Sequence, residues 1–212
     1  MKQYAYTVEA SRLAMFDNPS QEEQAILSEH DAYIQQLMTS DTGIFVGEVS
    51  EKNSHHFGIV IFQAEDDDTA KSILHNDPAA RARIMRGCLY PFRISLWNED
   101  AMTLAGRQSH YFYKIRPVRP EMLSEGGTDE ENQVMGQHFM YLKDLTEKAI
   151  FAFAGPTLVL DYSNFGTGLL CADSLEDAWQ IGSNDPAVIN RVMRLDILPF
   201  SVAYYQQGFN TQ

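Results

Sequence analysis

Two histidines stand where this chain could move a proton. His138 falls in the stretch QHFMYLKDLTEKAIFAFAGP, residues 137–156, which reads as the second half of a helix, a short turn and a strand ending in Gly-Pro. Steps of three, four and seven residues lead from it to Tyr141, Leu142 and Leu145, so all four share one helix face. An imidazole on an apolar face is either a packed, hydrogen-bonded core residue or the centre of a site. Its near-neutral pKa lets it take and return a proton at pH 7, and a nearby carboxylate would fix its tautomer and stabilise its cation. The chain carries this histidine twice.

An offset of 108 residues (138 − 30) places His30 on His138, Tyr33 on Tyr141, Leu37 on Leu145 and Gly47 on Gly155. Without a gap, it also places Asn76-Asp77-Pro78-Ala79 on Asn184-Asp185-Pro186-Ala187 and Pro91-Phe92 on Pro199-Phe200. This is an internal duplication. The elements that must position the histidines repeat with it. In the first half a strand over 2–8 and a polar loop over 9–19 lead to Ser20 and Glu23, the capping-box spacing that starts a helix reaching about residue 40. Strands follow over 44–49 and 57–64, a helix capped within Asp66–Asp68, a helical turn opened by Asp77-Pro78, and a strand over 88–97. The second half gives a strand over 110–115, the Thr128 and Glu131 box, strands over 151–160 and 165–172, a helix from Ser174, a short turn over 184–193 and a strand over 196–205. The order β-α-β-β-α-β is the ferredoxin-like unit. The expected class is therefore α+β, with domains at 1–98 and 108–207. Each unit covers one face of its sheet with helices, so the two sheets are expected to face one another as an intrachain dimeric α/β-barrel.

Composition narrows the function. A formal charge of −13 opposes a nucleic-acid backbone or an anionic membrane as partner, but says little of small anions. No run of apolar residues is long enough for a transmembrane helix, and the opening MKQYAYTVEA reads as a first strand, not a secretory signal. Cys88 and Cys171 are not equivalent under the offset and form no metal spacing, so both read as packing residues in a reduced, cytoplasmic protein. The sequence holds no phosphate loop, dinucleotide fingerprint, nucleophile motif or metal-ligand spacing, so no cofactor or metal is expected. His55-His56 reads as a solvated turn, and Met135 and Met140 as packing.

The second half, with FYKIRPVRPEML, EENQVMGQHFMYLKDL, FAFAGP, FGTGLL, NDPA and PF in order, resembles the YCII-related proteins, small ferredoxin-like domains that pair into α/β barrels. The resemblance covers nearly all of residues 110–205. The first half resembles the family more weakly. It keeps His30, Asp77-Pro78 and Pro91-Phe92, has Gly47-Glu48 in place of Gly-Pro, and has Ser11 where the offset expects a counterpart of Arg119. In this family the helix histidine and the Asp-Pro aspartate are regarded as the active-site pair. The resemblance thus implies His138 with Asp185, and less directly His30 with Asp77, as catalytic residues. Arg119 would contact an anion, and Tyr141, Gly155 and Pro156 would wall the pocket. Members with an assigned reaction act on small cyclic or aromatic metabolites.

Two functions stay open. One is a cofactor-independent isomerase or lyase that moves protons on a small anionic ligand. The other is a non-catalytic ligand-binding or scaffold protein, in which His138 is a satisfied core residue and Asp185 caps a helix. The second half is expected to hold the better pocket, and a homodimer is an open arrangement.

Overall fold

The computed structural model describes residues 1–53 and 56–210. The first half runs β1 (Lys2–Ala10), α1 (Ala14–Asp17), α2 (Gln21–Thr39), β2 (Gly43–Val49), β3 (Gly58–Ala64), α3 (Asp67–Asn76), α4 (Pro78–Arg81) and β4 (Met85–Phe92). After it come β5 (Leu96–Trp97) and α5 (Glu99–Met102). The second half runs β6 (Ser109–Pro117), α6 (Asp129–Glu147), β7 (Phe151–Pro156), β8 (Gly166–Ala172), α7 (Leu175–Ser183), α8 (Pro186–Ile189) and β9 (Met193–Tyr205). The long helices begin where the sequence places them. The Ser20 and Thr128 hydroxyls accept from the backbone N–H groups of Glu23 and Glu131, and each glutamate accepts from the N–H of its own cap residue. The strand order is β4-β1-β3-β2 in one half and β9-β6-β8-β7-β5 in the other, all pairs antiparallel. The α+β class and the tandem ferredoxin-like units are as expected. Among the described residues no helix is long and apolar enough to cross a membrane.

The chain forms two compact units. Unit 1 is Met1–Phe92 with Ser201–Gln207, and unit 2 is Arg93–Phe200 with Gly208–Gln212. The division thus falls at each Pro-Phe pair, where the sequence boundaries 1–98 and 108–207 run past it. In unit 1, Ile34 and Leu37 of α2 pack on Tyr6, Val60 and Phe62 of the sheet. In unit 2, Leu142 and Leu145 of α6 pack with Tyr113, Phe151 and Leu170. Burying each such side chain stabilises the fold by roughly 1.5–3 kcal/mol before entropy is counted.

Three packing expectations are overturned. His56 is buried, not solvated: its Nδ1–H donates to the Val49 carbonyl at 2.8 Å, and its ring meets Phe16 edge-on at 4.5 Å. His55 lies outside the described residues. Cys88 is exposed on β4 while Cys171 is buried, and Met140 is 59% exposed because it sits on the outer face of α6.

The offset between the halves is not constant. Gln3 pairs with Phe92 and His110 with Phe200, so the last strands are 108 apart (200 − 92) while the first strands are 107 apart (110 − 3). The loop before α6 is one residue longer than the loop before α2. A gapless comparison therefore misplaces the whole of β1, and with it Tyr6 and Arg12.

Two measurements follow from this packing. Gly155 has no room for a side chain, since a Cβ there would lie 1.9 Å from the Arg93 carbonyl oxygen. Gly155→Ala should destabilise the protein by about 1–3 kcal/mol or more in urea denaturation. Gly136→Ala, on the open face of α6, should leave stability unchanged or improve it by up to about 1 kcal/mol. Equal effects of the two changes would contradict the close approach.

His110 is also buried, and burial pushes its pKa below 6.5, against the raising effect of its bond to the Ala101 carbonyl. The unfolded chain then binds a proton that the folded chain refuses. The stability is full above about pH 6.5 and is lost as the pH falls below it. Melting temperature should drop between pH 7 and pH 5.5, and His110→Gln, which keeps a donor for Ala101, should flatten that drop. An unchanged slope in the variant would count against the assignment.

Candidate functional site

The site in unit 2 starts from a helix cap. Pro186 opens α8 with a fixed φ, and the preceding Asp185 accepts from the Ala187 N–H through Oδ1 at 2.8 Å. The cap is wholly buried, so the second carboxylate oxygen needs donors from the protein. Two elements supply them. The Tyr113 hydroxyl from β6 donates to Oδ2 at 2.7 Å, and His138 from α6 brings Nδ1 to the same oxygen at 2.7 Å. An ionised carboxylate only accepts, so the imidazole hydrogen sits on Nδ1 and the lone pair on Nε2. Nε2 has no protein partner among the described residues. Burial, and then the Asp185 charge, push the Tyr113 pKa well above 10, so its hydroxyl remains a donor.

Unit 1 repeats the arrangement. Asp77 caps α4 through the Ala79 N–H at 2.9 Å, accepts from the Tyr6 hydroxyl at 3.2 Å and meets His30 Nδ1 at 2.7 Å. The structure therefore brings each sequence-predicted histidine to its predicted aspartate. Sequence reasoning missed the tyrosine of each row. Tyr6 and Tyr113 lie on the first strands, where a one-residue slip would have aligned them.

His138 borders a pocket of about 240 Å³ with Arg93, Tyr113, Gly155, Pro156, Asn164 and Thr167, between α6 and the sheet. Arg93 is exposed on the segment before β5 and makes no side-chain ion pair among the described residues. Asn164 is held by donating to the carbonyls of Thr157 and Val159, at 3.0 and 2.7 Å. The pocket beside His30 is larger, about 530 Å³, and is bordered by Asp31, Glu48, His56, Ser201 and Tyr204 among apolar side chains. This reverses the expected ranking of the two halves. Phe139 and Pro156 fill space in unit 2 where Asp31 and Glu48 stand in unit 1.

Two expected contacts are corrected. Arg119 does not border the His138 pocket. Its Nε donates to Glu131 Oε1 at 2.9 Å and its Nη2 to Oε2, a bidentate pair that locks the cap of α6. That guanidinium, followed by the Thr128 N–H, holds the Glu131 carboxyl down to about 2. Nor does Arg119 lack a counterpart, because Arg12 makes the same bidentate pair with Glu23. Tyr141 is no pocket wall either. Its hydroxyl donates to the Ile181 carbonyl at 2.8 Å, as Tyr33 does to Ile73 at 2.7 Å, and it ties α6 to α7. Among the described residues no three His, Cys, Asp or Glu side chains group so as to hold a metal ion.

The model of the YCII-related domain matches residues 3–98, the half in which the resemblance was expected to be the weaker. No curated protein matches the chain by sequence. Among solved structures, a mutant chlorite dismutase from Candidatus Nitrospira defluvii in complex with cyanide shares the fold with a TM-score of 0.58 at 13% identity, over 95% of this chain and 91% of that one. A heme-binding protein from Thermus thermophilus aligns with a TM-score of 0.53 at 12% identity, over 96% and 91%. A Lactobacillus acidophilus protein provisionally called a monooxygenase aligns at 0.54 and 5% identity, over 95% and 94%. At such identities these structures are similar to this chain in fold alone, and the likeness to the YCII-related domain rests on residues 3–98.

Proposed function

We propose that the chain is a tandem pair of YCII-related domains, with sequence copies at 1–98 and 108–207, and that unit 2 is an acid–base site for a small cyclic or aromatic carboxylate. The observation that carries this reading is the row Tyr113–Asp185–His138, which ends at an imidazole nitrogen with a lone pair, beside a pocket that also has Arg93, without an ion pair among the described residues. Arg93 replaces Arg119 as the anion partner. Its fork suits a carboxylate bidentately. With the carboxylate held there, His138 Nε2 removes a proton from a carbon next to a carbonyl. The imidazolium is stabilised by Asp185, which Tyr113 and the α8 cap keep in place. Returning the same proton to a different carbon gives an isomerisation. Expelling a group from the neighbouring carbon gives an elimination, and the proton then leaves with the departing group or solvent. Both reactions balance without an oxidant, reductant or nucleophile.

A haem reading has one observation in its favour. An imidazole whose Nδ1–H is held by a carboxylate suits an iron ligand as well as a base. The surroundings do not fit. The unit 2 pocket, at about 240 Å³, is small for a cofactor; such sites usually occupy about 300–1,000 Å³. The unit 1 pocket is lined by Asp31 and Glu48, whose charge is like that of the propionates a haem would bring. We therefore derive no step through haem.

The test is solvent deuterium exchange, followed by NMR, on a panel of small enolisable carboxylates and unsaturated lactones. Exchange should fall roughly 10²–10⁴-fold in His138→Ala, the usual contribution of a general base. Arg93→Ser should mainly raise KM. Arg119→Ala should lower thermal stability through the α6 cap and leave exchange intact. Ligand binding without exchange would leave the chain a binding module, and exchange that survives loss of both His138 and His30 would remove the histidines from the reaction.

A further inference from the structure

The two pockets are built alike and charged differently. Each is closed by the segment that follows a Pro-Phe pair, residues 93–96 in unit 2 and 201–204 in unit 1. Counted 108 apart, Arg93 of the smaller pocket becomes Ser201 in the larger, Phe139 becomes Asp31, and Pro156 becomes Glu48. All three changes run in one direction. In the lining a cation is lost and two carboxylates are gained, Glu48 being paired at the rim with Lys52 where the second half has Leu160, while Val8, Ile34, Met38, Val46, Val60 and Met85 keep the body of the pocket apolar.

We propose that the unit 1 pocket is a second ligand site, specific for an apolar molecule that carries a protonated amine. The rim already shows how it would hold one. The Lys52 ammonium lies 2.7 Å from Glu48 Oε2, 3.4 Å from His56 Nε2 and 5.4 Å from the centre of the Phe16 ring. His56 gives its Nδ1 hydrogen to the Val49 carbonyl, so Nε2 offers a lone pair. A carboxylate, an imidazole lone pair and an aromatic face form a cage suited to an ammonium, and Lys52 stands in it as the protein's own occupant. His30 Nε2, with Nδ1 committed to Asp77, supplies a further acceptor to the pocket. A ligand carboxylate would meet Asp31 and Glu48 with like charge. The negative charge of the whole chain adds to that discrimination.

The proposal does not depend on catalysis in unit 2, and its test reads binding alone. The full chain carrying Arg93→Ser, which silences the anion partner of unit 2, is titrated calorimetrically with 2-phenylethylamine and with phenylacetate. These probes share a ring and carry opposite charges at pH 7. The amine should bind and the acid should not. Adding Asp31→Asn and Glu48→Gln should weaken the amine roughly tenfold, the scale of one hydrogen bond to a charged group. Ser201→Arg, which places the arginine of unit 2 in the unit 1 pocket, should weaken it similarly. Circular dichroism checks that each variant folds, and if the carboxylate variant does not, Ser201→Arg alone decides. Equal binding of the two probes, or an amine affinity that Ser201→Arg leaves unchanged, overturns the proposal.

Discussion

The structure depends on one carboxylate in each unit. Asp77 and Asp185 are wholly buried, and a buried charge is tolerated only where its oxygens are fully hydrogen-bonded. Each takes a backbone N–H from its own one-turn helix, a tyrosine hydroxyl from the first strand and an imidazole hydrogen from the long helix. Three elements distant in sequence are thereby fixed to one atom group. The first strand cannot slip, the long helix cannot rotate, and the short helix cannot unwind without leaving that charge unpaired. Stability and the placement of the imidazole hydrogen are the same arrangement here. The bonds that satisfy the aspartate also decide which imidazole nitrogen keeps its lone pair.

The parts of this arrangement that the sequence made legible were local. Ser20 with Glu23 and Thr128 with Glu131 announce helix starts through a fixed spacing, and Asp-Pro announces a one-turn helix. His30 and His138 were visible because both sit the same distance from their aspartates, 47 residues (77 − 30 and 185 − 138). The tyrosines were not visible. They depend on the register of the first strands, and a loop one residue longer in one half hides the correspondence. The same slip disguised Arg12 as missing and made Arg119 look special. Either arginine is spent on a helix cap, which is a tertiary contact that loop position alone does not reveal. Arg93 was missed for a different reason. It reads as a residue of a continuous strand, whereas the chain leaves β4 at Phe92 and changes partner, the Arg93 N–H donating to the Pro156 carbonyl of β7.

The halves have kept the buried aspartate row and changed what faces the cavity. Tyr33 and Tyr141 still tie helices through carbonyls 108 apart, and Arg83 and Arg191 share a left-handed backbone, with φ of 59° and 56°. Residues with structural duties are thus the ones retained. Divergence is concentrated where Asp31 faces Phe139, Glu48 faces Pro156 and Ser201 faces Arg93 in the comparison. The lining differs between the halves while the shared support stays the same.

The boundary at each Pro-Phe pair bears on how the chain can be divided. The wall of the unit 1 pocket that carries Ser201 follows the second Pro-Phe pair, and the wall of the unit 2 pocket that carries Arg93 follows the first. The unit 1 cavity is therefore not a property of one stretch of gene, whereas the unit 2 cavity lies within residues 93–193 and starts inside the first sequence copy. Splitting the chain between the copies would give two polypeptides, each missing the residues that finish its own cavity. Cut out alone at residues 1–98, the first half would complete its cavity only with the segment that carries Ser201 supplied by a second chain. Within one chain that segment is supplied covalently, so the first cavity cannot be kept while the second half is removed.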